Sequence, residues 1–425
     1  MPPGTPTGRY RRLLRNRPYV RVLAAGLGSV AGSSISAVCL VWIVYEGTGS
    51  ALDVGALGTS FVLASILFSV FGGTWADRYD RRRLMIGADL ARALALGVVV
   101  VTLLLVGLDL PVLLGANFVV GAFTTVFSPA EQAILPALVP PEQVPDANGL
   151  VSSSRSALRF VGAAVAGAFI VTVGATVGVA VNALTFLLSA ALLVGMIVPG
   201  GGRTGRARPP RSYLRDVREG FRWLGRARGF LQLTVSATFF NFCSTLIGTF
   251  AVVFATIVLH GNALVFAFLL GAEVVGAGLG SLLVGPTHGA RRAGRAWVVP
   301  YGVASGAVAL LLAFLPSVPL ALAAFFAFGL LAGYAGTAWL TAAQLLVPTE
   351  MQGRYFGVDN LGSIAILPLA QIGGAFLIAG LGVGAAYQVV AVLWLLSGLA
   401  FLVPRSLWNL GYRGAEGPGP PRRGT

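Results

Sequence analysis

The chain has 425 residues, 56% of them hydrophobic and only 11% charged, and its mean hydropathy is +0.83. Too little polar side chain remains to cover a water-exposed surface, so the composition excludes an ordinary soluble domain and points to an integral membrane protein. All 30 basic side chains are arginine, for a net charge of +15, and without lysine there is neither a G-x-x-x-x-G-K-[ST] phosphate loop nor a Schiff-base enzyme.

Apolar runs of about 20 residues, the length that crosses about 30 Å of hydrocarbon, predict spans at 20–45, 52–75, 84–106, 111–134, 149–173 and 178–198. Six more follow at 230–259, 262–285, 297–315, 319–347, 357–380 and 385–403. In lipid each backbone polar group must find a partner within its own segment, so all are read as helices. The fold class is therefore an all-α integral membrane protein with twelve transmembrane helices. The expected domains are an N-terminal six-helix half at 1–198, a cytoplasmic linker with an interfacial helix at 199–229, a C-terminal six-helix half at 230–404 and a cytoplasmic tail at 405–425. The first apolar run is long and lacks a cleavage-like ending, so no signal peptide is expected.

Arginine follows the topology. It occurs in the arm from Arg9 to Arg21, after the second span, between Arg203 and Arg228, at 291–295, at Arg354 and in the tail. The alternate loops near 46–53, 107–111, 174–178, 259–263, 315–319 and 380–385 contain none. The positive-inside rule then puts both termini in the cytoplasm of a multi-pass protein of the inner (plasma) membrane. Arginines distributed in this way do not form a nucleic-acid surface, and none is expected as a partner.

In chain order, the first dense charge cluster is GGTWADRYDRRR, residues 72–83. Asp77 and Arg81 are four residues apart and would pair on one helix face. Within spans, charges are few and expensive. Asp89 with Arg92 and Arg155 with Arg159 lie near enough to the cytoplasmic side to snorkel or to pair among themselves. Arg159 is the deeper of its pair and the candidate to meet an anionic group. The segment 199–229 begins as a Gly/Pro/Arg linker; Tyr213, Leu214, Val217, Phe221 and Leu224 then recur at helical spacing, as on a helix lying on an anionic lipid surface, against the alternative of a solvated linker.

Glu273 sits near the middle of its span and is the intramembrane acid singled out as a functional candidate. As a carboxyl in low dielectric it can carry a proton, stand as a structural hydrogen-bonding acid, or bind a cationic cargo. Asp359, near the start of the eleventh span, is assigned to the cytoplasmic loop with Arg354. Ser33, Ser36, Asn117, Asn241, Thr245, Tyr334, Trp339, Gln344 and Gln371 could line a modestly polar, aromatic-bearing cavity for an amphipathic molecule, or serve only in helix packing. Cys39 and Cys243 read as small apolar residues. His260 and His288 show no metal-ligand spacing, so neither a metal nor a cofactor is expected, and no catalytic residues stand out.

LVPPE at 138–142 recurs as LVPTE at 346–350, and RRAGR at 291–295 occupies the position of DRYDR at 77–81. Both matches fall at equivalent topological positions. They predict two six-helix repeats in parallel orientation with a site at their interface.

Twelve helices in two halves, with Gly73, Asp77, Arg78, Arg81, Arg82 and Arg83 spaced as G-x-x-x-D-R-x-x-R-R-R between spans 2 and 3, resemble the major facilitator superfamily. FSPAEQAILPALVPPEQVPDANGL and REGFRWL resemble its enterobactin-exporter and macrolide-efflux branch. The resemblance implies that Asp77 and Arg81 form a conformational charge lock with an acid at the end of span 4, for which Glu131 is the candidate. The alternative is a set of topology anchors, preferred for Arg82 and Arg83. Asp80 stands where the family usually has glycine. Asn117, four residues before Gly121, stands where many proton-driven members have arginine, and the antiporter motif of span 5 is reduced to GAAVAG from Gly162 to Gly167.

The function implied is secondary active export of small amphipathic compounds, drug, antibiotic or siderophore-like, by proton antiport and alternating access. The alternative is an importer of a nutrient or metabolite. Expected partners are the small-molecule substrate, protons and membrane lipid, with the chain a monomer and not an enzyme.

Overall fold

The structure is a computed structural model and describes residues 13–196, 210–284, 297–314, 316–403 and 406. The arginines before residue 13, the linker start at 199–209, RRAGR at 291–295, His288 and most of the tail lie outside these residues. All regular elements described are helical. In the N-terminal half they are α1 (Arg17–Thr48), α2 (Ala51–Arg78), α3 (Arg81–Leu105), α4 (Leu110–Ile134), α5 (Val144–Thr172) and α6 (Ala175–Leu193). The linker forms α7 (Pro210–Arg226). There follow α8 (Arg228–Thr249), α9 (Ala263–Leu283), α10 (Ser305–Phe314), α11 (Val318–Leu346), α12 (Thr349–Ala365), α13 (Leu367–Leu381) and α14 (Val383–Ala400). Among the described residues eleven helical stretches are long and apolar enough to cross a membrane, and the twelfth crossing is the shorter Tyr301–Phe314.

The ends of the early helices are set by their own sequence. Asn16, Ser50, Asp80 and Asp109 cap α1 to α4, each side-chain oxygen accepting from a backbone N–H three residues on. Gly49 closes α1 at φ 64°, a left-handed conformation suited to glycine. Asp80 thus acts locally: its carboxylate accepts from Arg83 N at 3.1 Å and starts α3.

Several spans are not the uninterrupted helices their hydropathy suggests. The seventh breaks after α8 and continues as a short helix at Ala251–Val253 and a π-turn at Phe254–Val258. The ninth begins with a π-helical stretch, Trp297–Ala304, which contains Pro300. The eleventh is split at Ile366, just before Pro368, whose missing N–H cannot complete the ladder. Its helix also starts at Thr349, earlier than the apolar run at 357, because hydropathy detects only the lipid-crossing part of a helix. Asp359 is therefore in a helix and not in the loop expected for it.

The chain packs as two compact units. The first comprises Met1–Ser212, Gly248–Gly271 and Leu367–Val383; the second comprises Tyr213–Ile247, Ala272–Ile366 and Gly384–Thr425.

In the first, α2 lies on α4, α1 on α6 and α13 on α2. Small residues allow these approaches: a Cβ on Gly121 of α4 would meet the Phe61 carbonyl of α2 at 2.5 Å. Tyr19, Met85, Phe127, Ile134 and Leu193 belong to its buried apolar cluster. The Tyr19 hydroxyl donates to the Ala147 carbonyl at 3.1 Å, and Asn16 Nδ2 donates to the Leu138 carbonyl at 2.6 Å, tying the start of α1 to the α4–α5 connection.

In the second unit α9 and α11 meet through reciprocal glycines. A Cβ on Gly276 or Gly280 would collide with the carbonyls of Phe326 or Leu330, and one on Gly329 or Gly333 with those of Glu273 or Ala277. The GAGLG stretch is thus a helix-packing surface. Tyr301, Phe328 and Trp394 form the aromatic core, with Trp394 edge-on to Tyr301 at 5.9 Å and stacked on Phe328 at 5.8 Å. Helix α7 rests on α12: Gly220 abuts Val358 and the Arg354 carbonyl, and Glu219 pairs with Arg354 at 3.1 Å. Leu224 of α7 is buried and Phe221 exposed; the side chains of Tyr213, Leu214 and Val217 lie outside the described residues.

Candidate functional site

Among the described residues of the first unit, two ion pairs join buried or half-buried charges. Asp89 and Arg92, three residues apart on α3, pair directly, with side chains 0% and 4% exposed. The Asp89 carboxylate also accepts from the Ser189 hydroxyl at 2.6 Å. The Arg92 guanidinium lies over the rings of Phe127 and Phe186, at 4.5 and 4.2 Å from their centroids, and its Nη1 donates to the Thr124 hydroxyl at 3.5 Å. Ion pair, hydrogen bonds and two aromatic faces satisfy it on every side described.

The second pair joins Glu131 of α4 to Arg155 of α5, and it is less tightly enclosed. Glu131 is 3% exposed and Arg155 is 24% exposed, with Arg155 Nε lacking a hydrogen-bond partner. A Cβ on Gly26 of α1 would collide with Glu131 Oε1, so the glycine makes room for the carboxylate. Beside this pair, Arg81 is buried and its Nη1 donates to the Ala133 carbonyl at 2.9 Å, linking the start of α3 to the end of α4. Arg82 Nε donates to the Leu193 carbonyl at 2.8 Å, at the open C-terminus of α6. The side chains of Gly73, Asp77 and Arg78 lie outside the described residues, although α2 runs through all three positions.

The same unit encloses a cavity of about 430 Å³, within the range of small-molecule sites. Its walls carry Val38, Leu57, Phe61 and Phe266, with hydroxyls and amides from Ser33, Ser36, Asn117, Thr124, Asn182 and Gln371. None of its lining residues is ionisable. Asn117 Nδ2 donates to the Leu57 carbonyl at 2.8 Å and to Ser60 Oγ at 3.1 Å, so it ties α4 to α2 where an arginine would bring a charge. Gln371 Oε1 accepts from the Thr59 hydroxyl at 3.2 Å, against the glycines at 55 and 58.

The second unit holds acids of another kind. Glu273 is half-buried on α9, and among the described residues no basic side chain stands within ion-pair distance of it. Tyr301 is hydrogen-bonded to the Ser244 side chain, and Tyr387 donates to the Ile247 carbonyl at 2.8 Å near the end of α8. Asp359 is 6% exposed and accepts from the Thr234 hydroxyl at 3.1 Å. It lines a cleft of about 580 Å³ with Trp339, Phe356, Gly357 and Ser363.

Of the residues singled out in the sequence, Ser33, Ser36, Asn117 and Gln371 thus meet in one cavity and Trp339 lines the other. Tyr334 is half-buried against Val284 and Ala338. Asn241 and Thr245 are half-buried on α8 and line neither space, Arg159 is exposed, and Gln344 is exposed with its carbonyl accepting from Gln352. Sequence reading missed Asn182, Thr124, Tyr301 and Tyr387. Asn182 could have been noticed as a lone amide in an apolar span, whereas tyrosines in apolar helices carry no such signal.

Crossing helices, polar cavities within them and isolated intramembrane acids define a multi-pass membrane transport protein. The chain matches the family model of the Major Facilitator Superfamily over residues 22–363, and it belongs to that superfamily. It is 26% identical over 394 residues to the multidrug efflux pump Tap of Mycobacterium tuberculosis, covering 90% of this chain and 92% of that protein. It is also 26% identical over 227 residues to macrolide efflux protein A of Streptococcus pyogenes, covering 53% of this chain and 55% of that one. Among solved structures, a bacterial homologue of the human lysosomal transporter Spinster superposes with a TM-score of 0.70 at 20% identity, covering 94% of this chain and 99% of that one. A D-xylose–proton symporter superposes with a TM-score of 0.69 at 12% identity, covering 94% and 98%. The two structural likenesses establish the fold.

Proposed function

We propose that the chain is a secondary active exporter of small amphipathic compounds in the plasma membrane, working by alternating access and proton antiport, with both termini cytoplasmic and the monomer as the working unit. The observation that carries this reading is the near full-length similarity to the multidrug efflux pump Tap. The uncharged cavity of the first unit supports it, since apolar walls with scattered amides and hydroxyls suit a cargo that partitions from lipid.

In this reading Glu273 carries the proton. It is an intramembrane acid without a basic partner among the described residues, so its proton can leave without breaking an ion pair. Asp77, Arg78 and Arg81, with Gly73 allowing the turn of the motif and Glu131 at the end of α4, bias the balance between conformations and do not touch cargo. Arg159, Asn241, Tyr334 and Gln344 contact cargo in other states of the cycle.

The fold is shared with a D-xylose–proton symporter, which favours import as a second reading. Transport by purified protein in proteoliposomes separates the two. With the protein's cytoplasmic face outward and the lumen acidified, an exporter accumulates dye or antibiotic in the lumen and an uncoupler abolishes the accumulation. An importer would instead carry a nutrient in the opposite direction, and accumulation insensitive to the uncoupler would remove proton antiport from the account.

A further inference from the structure

We propose that Asp359, Trp339 and Phe356 form a binding site for an organic cation at the junction of α11 and α12. The site is read as part of the transport route proposed above and to that extent rests on it.

A carboxylate withdrawn from water needs a counter-charge or several hydrogen bonds. Asp359 is 6% exposed, yet its one hydrogen-bond partner among the described residues is the Thr234 hydroxyl, a neutral donor. The basic residue nearest in sequence, Arg354, is engaged with Glu219 at 3.1 Å. Among the described residues no arginine lies within ion-pair distance of Asp359. The acid faces a cleft of about 580 Å³, enough for a small organic molecule.

The remaining walls suit a cation as well. Trp339 and Phe356 line the cleft beside Asp359 and meet edge-to-face at 6.0 Å and 88°. Indole and phenyl faces attract a cation electrostatically, and the attraction is greatest where water is excluded, as for quaternary ammonium groups in aromatic cages. Both rings are held in place beforehand. Trp339 Nε1 donates to the Tyr355 hydroxyl at 3.2 Å, and Tyr355 is fully buried, packed edge-on to Trp223 at 5.7 Å and to Phe230 at 5.3 Å. A pre-positioned aromatic wall reduces the ordering cost of binding. The small residues Gly357 and Ser363 leave room beside the acid. The fitting ligand is a lipophilic amine or quaternary cation whose charge meets Asp359 and whose apolar groups lie on Trp339 and Phe356.

Equilibrium binding to the purified full chain in neutral-lipid nanodiscs tests the site, with tetraphenylphosphonium and its anionic counterpart of the same shape, tetraphenylborate, as probes. The wild type should prefer the phosphonium. Asp359→Asn should weaken phosphonium binding by about tenfold, as for the loss of one desolvated charge contact, with Asp359→Glu restoring most of it. Trp339→Ala should weaken it several-fold and Trp339→Phe less, which keeps the test decisive should an Asp359 variant fail to fold. Equal binding of the two probes by the wild type, or unchanged phosphonium affinity in Asp359→Asn or Trp339→Ala, overturns the proposal. Because binding is read without transport, a failure of proton-driven export in the proteoliposome assay would leave this result standing, and a missing cation site would leave export of neutral compounds intact.

Discussion

Asp89 and Glu131 in the first compact unit, and Glu273 and Asp359 in the second, are carboxyl groups on helices of a membrane protein, yet their surroundings differ. Both of these acids of the first unit are joined to an arginine, Asp89 to Arg92 and Glu131 to Arg155. Glu273 and Asp359 have no such partner among the described residues, and Asp359 stands beside the rings of Trp339 and Phe356 instead. An acid bound to a guanidinium has its charge already compensated, so any change in its state must first break an ion pair. One without a guanidinium can exchange a proton or accept a cation, because nothing has to be displaced first. The difference separates acids whose charge a guanidinium already balances from acids that no described arginine balances. The cavity of the first unit, by contrast, has no charged residue among its described lining.

The contrast can be broken most easily at its structural end. Asp89→Asn leaves Arg92 buried without a counter-charge and should cost about 3–5 kcal/mol of stability, read as a lowered melting temperature in detergent. Asp359→Asn removes an acid that no basic residue balances and should change stability by less than about 1 kcal/mol. Equal destabilisation by the two substitutions would erase the distinction. A smaller effect is expected at the motif between α2 and α3. Asp77→Asn or Arg81→Ala should lower turnover about fivefold with little change in KM, corresponding to a bias of about 1 kcal/mol between conformations. Initial efflux rates at the wild-type level would reduce the cluster to a membrane anchor. The smallest effect belongs to Asn117→Ala, which loses the α2–α4 hydrogen bonds and should cost about 0.6 kcal/mol, typical of such bonds within membranes.

The fold was legible in the sequence because lipid imposes one demand, a run of apolar residues of fixed length, and the chain meets it repeatedly. Where helices break was not legible, since the split before Pro368 and the π-turn at Phe254–Val258 lie in runs of unaltered hydropathy. Charged residues were conspicuous because they are few, so Asp89, Arg92, Glu131, Arg155 and Glu273 could all be named from the sequence. The Asp89–Arg92 pairing was legible from its three-residue spacing, but the other partners were not. Arg155 meets Glu131 across two helices, and the rings around Arg92 come from two more positions that no spacing rule connects. Asp359 was misplaced in a loop because its helix begins with polar residues, which hydropathy assigns to water.

The central claim, that an acid of the second unit couples transport to protons, is tested most directly by uphill transport of the Glu273→Gln protein in proteoliposomes. Glutamine preserves size and hydrogen bonding and removes the exchangeable proton. The account predicts loss of accumulation driven by a pH gradient together with retained exchange of cargo at equal concentrations on both sides. Full gradient-driven accumulation by Glu273→Gln would contradict it.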